Sequence, residues 1–274
     1  MTNKLDFTKP IIMGILNVTP DSFSDGGSYP SCNSAVEKAL IMIRQGATII
    51  DVGGESTRPG SERVSPIEQK RRIIDVISQL KKVIPKRVII SVDTTSSEVA
   101  EAAINFGVEM INDVSGGKDD DAMMSLVAKH NLYYCIMHMQ GDPKTMQDKP
   151  SYKNVLTEVS GFLQAQALKA TKLGVQKNKI ILDPGIGFGK TTKHNLEILK
   201  NLKKISALEY YTLLGTSRKK LFSEVSKENN PIDRLSGTCA TSAIGVMADI
   251  NIFRVHDVWQ NKQAIDVAYA IKNI

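Results

Sequence analysis

Asn17, Asp51, Asp93, Asn112 and Asp183 share a setting: each stands at or just past the end of a short apolar run. Three more runs end the same way, on Met137-His138-Met139-Gln140, on Gly215-Thr216-Ser217-Arg218-Lys219 and on Arg254-Val255-His256-Asp257. Asp93, Asn112 and Asp183 offer acceptors and one amide donor, which suits a planar heterocycle with amidine-like N–H groups along one edge. A buried carboxylate needs such a partner or it protonates. Met137 and Phe188 supply apolar and aromatic surface for a flat ring. Thr57, Arg58, Lys219, Arg254 and His256 bring donors and cations, and forked guanidinium N–H groups match phosphate oxygens. Alternation along an extended segment puts Arg254 and His256 on one face. Gly26-Gly27 and Gly53-Gly54 let the backbone approach an anion closely. Asn17 is a neutral oxygen ligand of the kind magnesium takes alongside waters and substrate phosphate. Taken singly, each has a plainer reading: an Asp after a strand caps or turns, Met137 and Phe188 are core, and His256 packs. The set, in one place, reads as a site for a flat ring and a phosphate or pyrophosphate.

Other chemistries fit less well. Gly185-Ile186-Gly187-Phe188-Gly189-Lys190 brings its third glycine one residue early for a dinucleotide fingerprint and lacks the spacing of a P-loop. Histidines 130, 138, 194 and 256 have no zinc spacing, and Cys32, Cys135 and Cys239 form no metal pair or even disulfide set, which suits reduced thiols in the cytoplasm. The net charge of +6 is spread in small clusters without interleaved aromatics, so an anionic small molecule is a better partner than nucleic acid. No apolar run reaches membrane-spanning length, and residues 1–10 have no signal-peptide core, so neither a membrane nor an export signal is expected.

Something must bring these run ends together. Strands are expected at Ile11–Leu16, Thr48–Val52, Val88–Val92, Glu109–Asn112, Leu132–Met137, Ile180–Leu182, Tyr211–Leu214 and Ile252–Val255. Between and after them, helical periodicity covers Ser34–Gln45, Pro66–Val83, Ser96–Asn105, Asp121–His130, Tyr152–Leu173, His194–Leu202, Arg234–Ala248 and Val258–Ile271. Ser65-Pro66 reads as an N-cap followed by an N1 proline. Strict alternation of strand and helix implies parallel, right-handed βαβ units. Eight of them make an α/β fold of the (β/α)8 TIM-barrel type, a single domain over 1–274, with an open doubly wound sheet as the alternative. In a barrel the carboxyl ends of all strands form one face, and that face carries the site.

With these residues in order, the chain resembles the dihydropteroate synthase family. The resemblance is carried by Gly14 to Gly27, by Asp51-Val52-Gly53-Gly54-Glu55-Ser56-Thr57-Arg58-Pro59-Gly60, and by Ser91 to Thr94, Ile111 to Asp113, Met137 to Gly141, Asp183 to Lys190, Ser217 to Lys219 and Arg254 to Val258. It implies a Mg2+-dependent transferase that joins 6-hydroxymethyl-7,8-dihydropterin diphosphate to 4-aminobenzoate, a target of sulfonamides, in a homodimer. It further implies that Asp93, Asn112, Asp183 and Lys219 bind the pterin in a pocket lined by Met137, Phe188 and Gly215, and that Asn17 holds the metal. Arg58, Ser217, Arg254 and His256 would take the diphosphate, with Thr57 on the aminobenzoate side. Asp93, Lys219 and Asp25 would be the catalytic residues, with Asp25 and the Ser61 region on two mobile loops. A pterin-binding methyltransferase domain or a non-catalytic pterin-binding barrel would share the fold. Two positions depart from the family pattern: Lys220, where Ser or Arg is common, and Asp249, where Gly is expected.

Overall fold

The computed structural model describes residues 5–19, 32–56 and 60–274. Eight parallel strands close into a barrel in sequence order: β1 (Ile11–Asn17), β2 (Ile49–Gly53), β3 (Ile89–Asp93), β4 (Met110–Asp113), β5 (Tyr133–Met137), β6 (Ile180–Asp183), β7 (Tyr211–Leu214) and β8 (Ile252–Val255). Helices follow the strands: α1 (Cys32–Arg44), α2 (Pro66–Val83), α3 (Ser97–Ile104), α4 (Met123–His130), α5 (Val155–Lys172), α6 (Thr192–Lys200), α7 (Leu202–Ser206), α8 (Leu221–Ser226), α9 (Leu235–Met247) and α10 (Val258–Lys272).

The strands are continuous apolar runs because both faces are covered. Alternation sorts their side chains into two cores. Ile12, Leu16, Ile50, Val52, Ile90, Val92, Tyr134 and Phe253 point outward and pack with helix residues such as Ala39, Ile73, Leu80 and Leu163. Ile11, Met13, Ile49, Ile89, Met110, Tyr133, Cys135, Ile181, Leu213 and Ile252 point inward and fill the lower barrel. The N-terminal segment plugs that end, with Phe7 stacked on Tyr211 at 3.5 Å between ring centroids. One turn above, the inward positions become polar, and the site begins there.

Several expected strands prove displaced by a residue or longer by one. β2, β3 and β6 run through Gly53, Asp93 and Asp183, one residue past the ranges expected from sequence. A polar side chain can remain in the ladder here because it faces the open barrel mouth. The N-cap at Ser65 is formed, its hydroxyl accepting from Glu68 N at 3.3 Å ahead of Pro66 at N1. Two short helices, α7 and α8, fall where no periodicity was read; five and six residues are too few to show one. Asp249 adopts φ +65°, the left-handed conformation that favours glycine, and receives ion pairs from Lys203 and Lys272.

Candidate functional site

Parallel register aligns the rim. Asn17 pairs with Gly53, Gly53 with Asp93, and Asp93 with Asn112, so four adjacent strands present one row of inward positions. A Cβ at Gly53 would lie 3.5 Å from the Asp93 Cβ and 3.6 Å from the Asn17 amide oxygen, so the glycine leaves room between them. Two residues lower on β2, the fully buried Asp51 points the same way. Arg254, beside Met13 on β8, reaches into this group.

Arg254 donates from Nε to Asp51 Oδ2 and from Nη2 to Asp93 Oδ2, each at 2.7 Å. Asn112 Nδ2 donates to the same Asp51 oxygen at 3.0 Å. One guanidinium thus serves two buried carboxylates, the forked pairing that arginine suits. Burial pushes the Asp93 carboxyl up to about 7; Arg254 pulls it down, while Asp51, Glu55 and Asp113 push it further up. The Arg254 guanidinium is held charged by Asp51 and Asp93 despite its burial.

On the opposite wall, β5 and β6 pair Met137 with Asp183. Asp183 Oδ1 accepts from Gly185 N at 2.7 Å, and its Oδ2 lies 3.8 Å from where a Cβ on Gly215 would be. Burial raises the Asp183 carboxyl to about 6, against the Gly185 hydrogen bond and the charges of Lys219, Arg254 and Lys190. Lys219 Nζ sits 3.9 Å from the centre of the Phe188 ring, a cation–π contact. Phe188 and Met137 pack with Val114, Met139 and Met146 in a small apolar cluster of their own, apart from both barrel cores. Beyond it, Ser217 Oγ lies 3.0 Å from His256 Nδ1 and accepts from His256 N at 3.1 Å, and Arg218 pairs with Asp257 through Nε and Nη2.

The structure therefore brings Asn17, Asp93, Asn112, Met137, Asp183, Phe188, Gly215, Ser217, Lys219, Arg254 and His256 to one end of the barrel. Asp25, Thr57, Arg58 and the Pro20–Gly27 loop lie outside the described residues. Ser61 hydrogen-bonds the Ser56 carbonyl, and Gly60 N donates to Pro143 O at 2.9 Å. Lys220 is exposed at the start of α8.

Three residues here escaped the sequence reading of roles. Asp51 was read only as a strand end, although its place two residues before the rim marks it as inward. Lys190 and His138 form a clasp between the loops after β5 and β6. Lys190 is 2% exposed, and its Nζ lies 2.9 Å from His138 Nδ1 and donates to the carbonyls of Gly185 and Phe188 at 2.9 and 3.1 Å. Nothing local in the sequence links positions 138 and 190.

The donor set also bears on a metal. Among the described residues no three His, Cys, Asp or Glu side chains converge as a ready-made cage. A metal at this rim would take one protein oxygen from Asn17 and the rest from substrate and water, the habit of magnesium. The residues present fit that ion.

Comparison with known proteins agrees with this geometry. Residues 13–256 match the family model described as pterin binding enzyme. Dihydropteroate synthase of Escherichia coli K12 is 43% identical over 266 residues, covering 97% of this chain and 93% of the relative. The solved dihydropteroate synthase of Clostridium difficile, crystallised in the presence of pteroic acid, superposes with a TM-score of 0.90 at 44% identity, over 96% of this chain and 97% of that one. That of Xanthomonas albilineans with 4-aminobenzoic acid gives 0.92 at 37% identity, over 98% and 96%. The chain belongs to the pterin-binding enzyme family, among its dihydropteroate synthases, which are transferases.

Proposed function

We propose that this enzyme condenses 6-hydroxymethyl-7,8-dihydropterin diphosphate with 4-aminobenzoate to 7,8-dihydropteroate and pyrophosphate, in folate synthesis. The single observation that carries the reading is the asymmetry of the barrel mouth. Acceptor carboxylates and an amide line the mouth beside the apolar cluster of Met137 and Phe188, with cations at its edge.

The pterin ring lies against Met137 and Phe188. Its N–H edge donates to Asp183 and Asn112, and Lys219, already stacked over Phe188, donates to a ring acceptor. The diphosphate extends toward Ser217 and His256. Asn17 would hold Mg2+, which would supply positive charge to the diphosphate. The C–O bond between the pterin methylene and the diphosphate breaks ahead of nucleophilic attack, and its electron pair leaves with the pyrophosphate. Asp93 faces the electron-poor ring that results, and its fixed negative charge stabilises that state. Arg254 holds Asp93 in place through one nitrogen and leaves its second carboxylate oxygen for the ring. The aminobenzoate nitrogen then bonds to the methylene and gives its proton to solvent or pyrophosphate.

The test mixes protein, Mg2+, the pterin diphosphate and 4-aminobenzoate, and follows pyrophosphate release and dihydropteroate by chromatography. Both products are expected in equal amounts; release of neither overturns the reading. The proposal includes a location in the cytoplasm and a homodimer, the latter supported by the exposed apolar side chains of Ile244 and Met247 on α9 and Trp259, Val267 and Ile271 on α10. Analytical ultracentrifugation showing only a 30.1 kDa species would remove that part.

A further inference from the structure

Asp51 is fully buried below the barrel mouth and sits between two residues of the rim, Arg254 and Asn112. Its Oδ2 accepts from Arg254 Nε at 2.7 Å and from Asn112 Nδ2 at 3.0 Å. A carboxylate paired with a guanidinium can only accept, so the branch of the Asn112 carboxamide turned to it must be the NH2. A neighbour without an acceptor there would leave that amide free to sit either way round. With Nδ2 committed, the Oδ1 branch is the one turned away from Asp51. Asp93 spends Oδ2 on Arg254, and Asp183 spends Oδ1 on Gly185 N, so each keeps one oxygen. The mouth then shows a planar ligand three acceptor oxygens, from Asp93, Asn112 and Asp183.

We propose that Asp51 is a positioning residue that fixes the Asn112 carboxamide as an acceptor, and so makes the pocket select rings with N–H donors on that edge. A 2-amino-4-oxo ring of the pterin type meets the three oxygens with donors. A 2,4-dioxo ring of the lumazine type places a carbonyl where the amino group was, and acceptor faces acceptor. Sites built to receive a hydrogen bond reject analogues that lack it far more strongly than apolar sites reject a missing methylene. This inference rests on the pterin-pocket reading above and concerns which atom of Asn112 enforces it.

Isothermal titration calorimetry of pterin and lumazine against the unmodified protein, Asp51→Ala and Asp51→Asn tests it. In Asp51→Ala the amide can turn over, so the pterin-to-lumazine affinity ratio should fall by about tenfold or more, with lumazine binding as well as before or better. Asp51→Asn keeps an acceptor oxygen for Nδ2 and should hold the ratio within about threefold of the unmodified protein. Equal weakening of both rings in Asp51→Ala is what mere structural damage would give, and it overturns the proposal, as does an unchanged ratio. If Asp51→Ala does not fold, neutron diffraction of the unmodified protein with pterin decides. Deuterons on Nδ2 directed at Asp51 support the assignment, and an Oδ1 directed at Asp51 overturns it. Failure of both rings to bind the unmodified protein would instead sink the pterin-pocket reading, and this inference with it.

Discussion

Asp93 stands between two opposing influences. Burial disfavours its charge, the Arg254 guanidinium at 2.7 Å favours it, and the balance leaves its carboxyl near 7. The proposed chemistry needs the ionised form. As pH falls below about 7 the fraction ionised drops tenfold per unit, so kcat/KM should decline on the acid side with a midpoint near that value. Asp93→Asn should lower kcat by about 10²–10³ and remove that acid limb, because no proton is left to titrate there. Lys220→Ala, on an exposed lysine of the same rim, should leave kcat within about threefold. A near-normal kcat in Asp93→Asn would reject its electrostatic role. The position of Asp93 was legible in the sequence, since an apolar run ending in Asp marks a strand end. Its partner was not: Arg254 is 161 residues away. Alternation tells which face a side chain takes but not which strand lies across the barrel from it.

The elements around β5 and β6 explain a motif that the sequence could only describe by what it is not. Gly185, Gly187 and Gly189 all have positive φ, and the loop they form lies against the chain that leaves β5. A Cβ on Gly185 would stand 1.9 Å from the His138 carbonyl oxygen, and one on Gly189 would stand 2.2 Å from that of Gln140. The every-other-residue glycine pattern is a close backbone approach, clasped by Lys190. Gly60 also has positive φ, but among the described residues nothing lies within 4 Å of its added Cβ. Gly185→Ala should therefore cost well over the about 1 kcal/mol of backbone strain alone, whereas Gly60→Ala should cost about that amount, both by urea unfolding. The clasp also has a pH signature. Burial, then the charge of Lys190, lowers His138 from its ordinary 6.5 to about 3. Between those values the unfolded chain binds a proton that the native protein refuses, so this group's contribution to stability is lost as pH falls from 6.5 toward 3. The urea midpoint should drop over that range, and His138→Gln, which keeps an acceptor for Lys190, should flatten the drop. An equal slope in the variant would place the acid lability elsewhere. Helices of eight or more residues were largely readable because one face repeats; α7 and α8 were not, since their ends are set by contacts with neighbours.

The barrel as a whole is built in two storeys. Below, inward side chains are apolar and close-packed; above, Asp51, Asp93, Asn112, Asp183 and Arg254 crowd the mouth of the barrel. Stability and function are thereby separated along the barrel axis, as the fold tends to arrange. Ile89→Ala, in the lower storey, should cost about 2–5 kcal/mol of stability with little change in pterin affinity. Asp183→Asn should do the reverse. Burial raises Asp183 from its ordinary 3.8 to about 6, so the fold opposes its charge. In that window the native protein holds a proton that the unfolded chain has already released, and stability falls as pH rises from 3.8 to 6. Asparagine carries no charge to bury, and its oxygen can still accept from Gly185 N. The variant should match the unmodified protein near pH 4, exceed it progressively up to about pH 6, and keep a constant lead above that. Its pterin affinity should fall at least about tenfold, since a hydrogen bond to a charged acceptor is replaced by one to a neutral amide whose NH2 faces ligand donors. Such a variant, firmer but less able to bind, would mark the upper storey as a place where the chain gives up stability to hold a ligand. If Asp183→Asn instead unfolds more readily at pH 7 than at pH 4 relative to the unmodified protein, the buried carboxylate supports the fold and the separation of the two storeys fails.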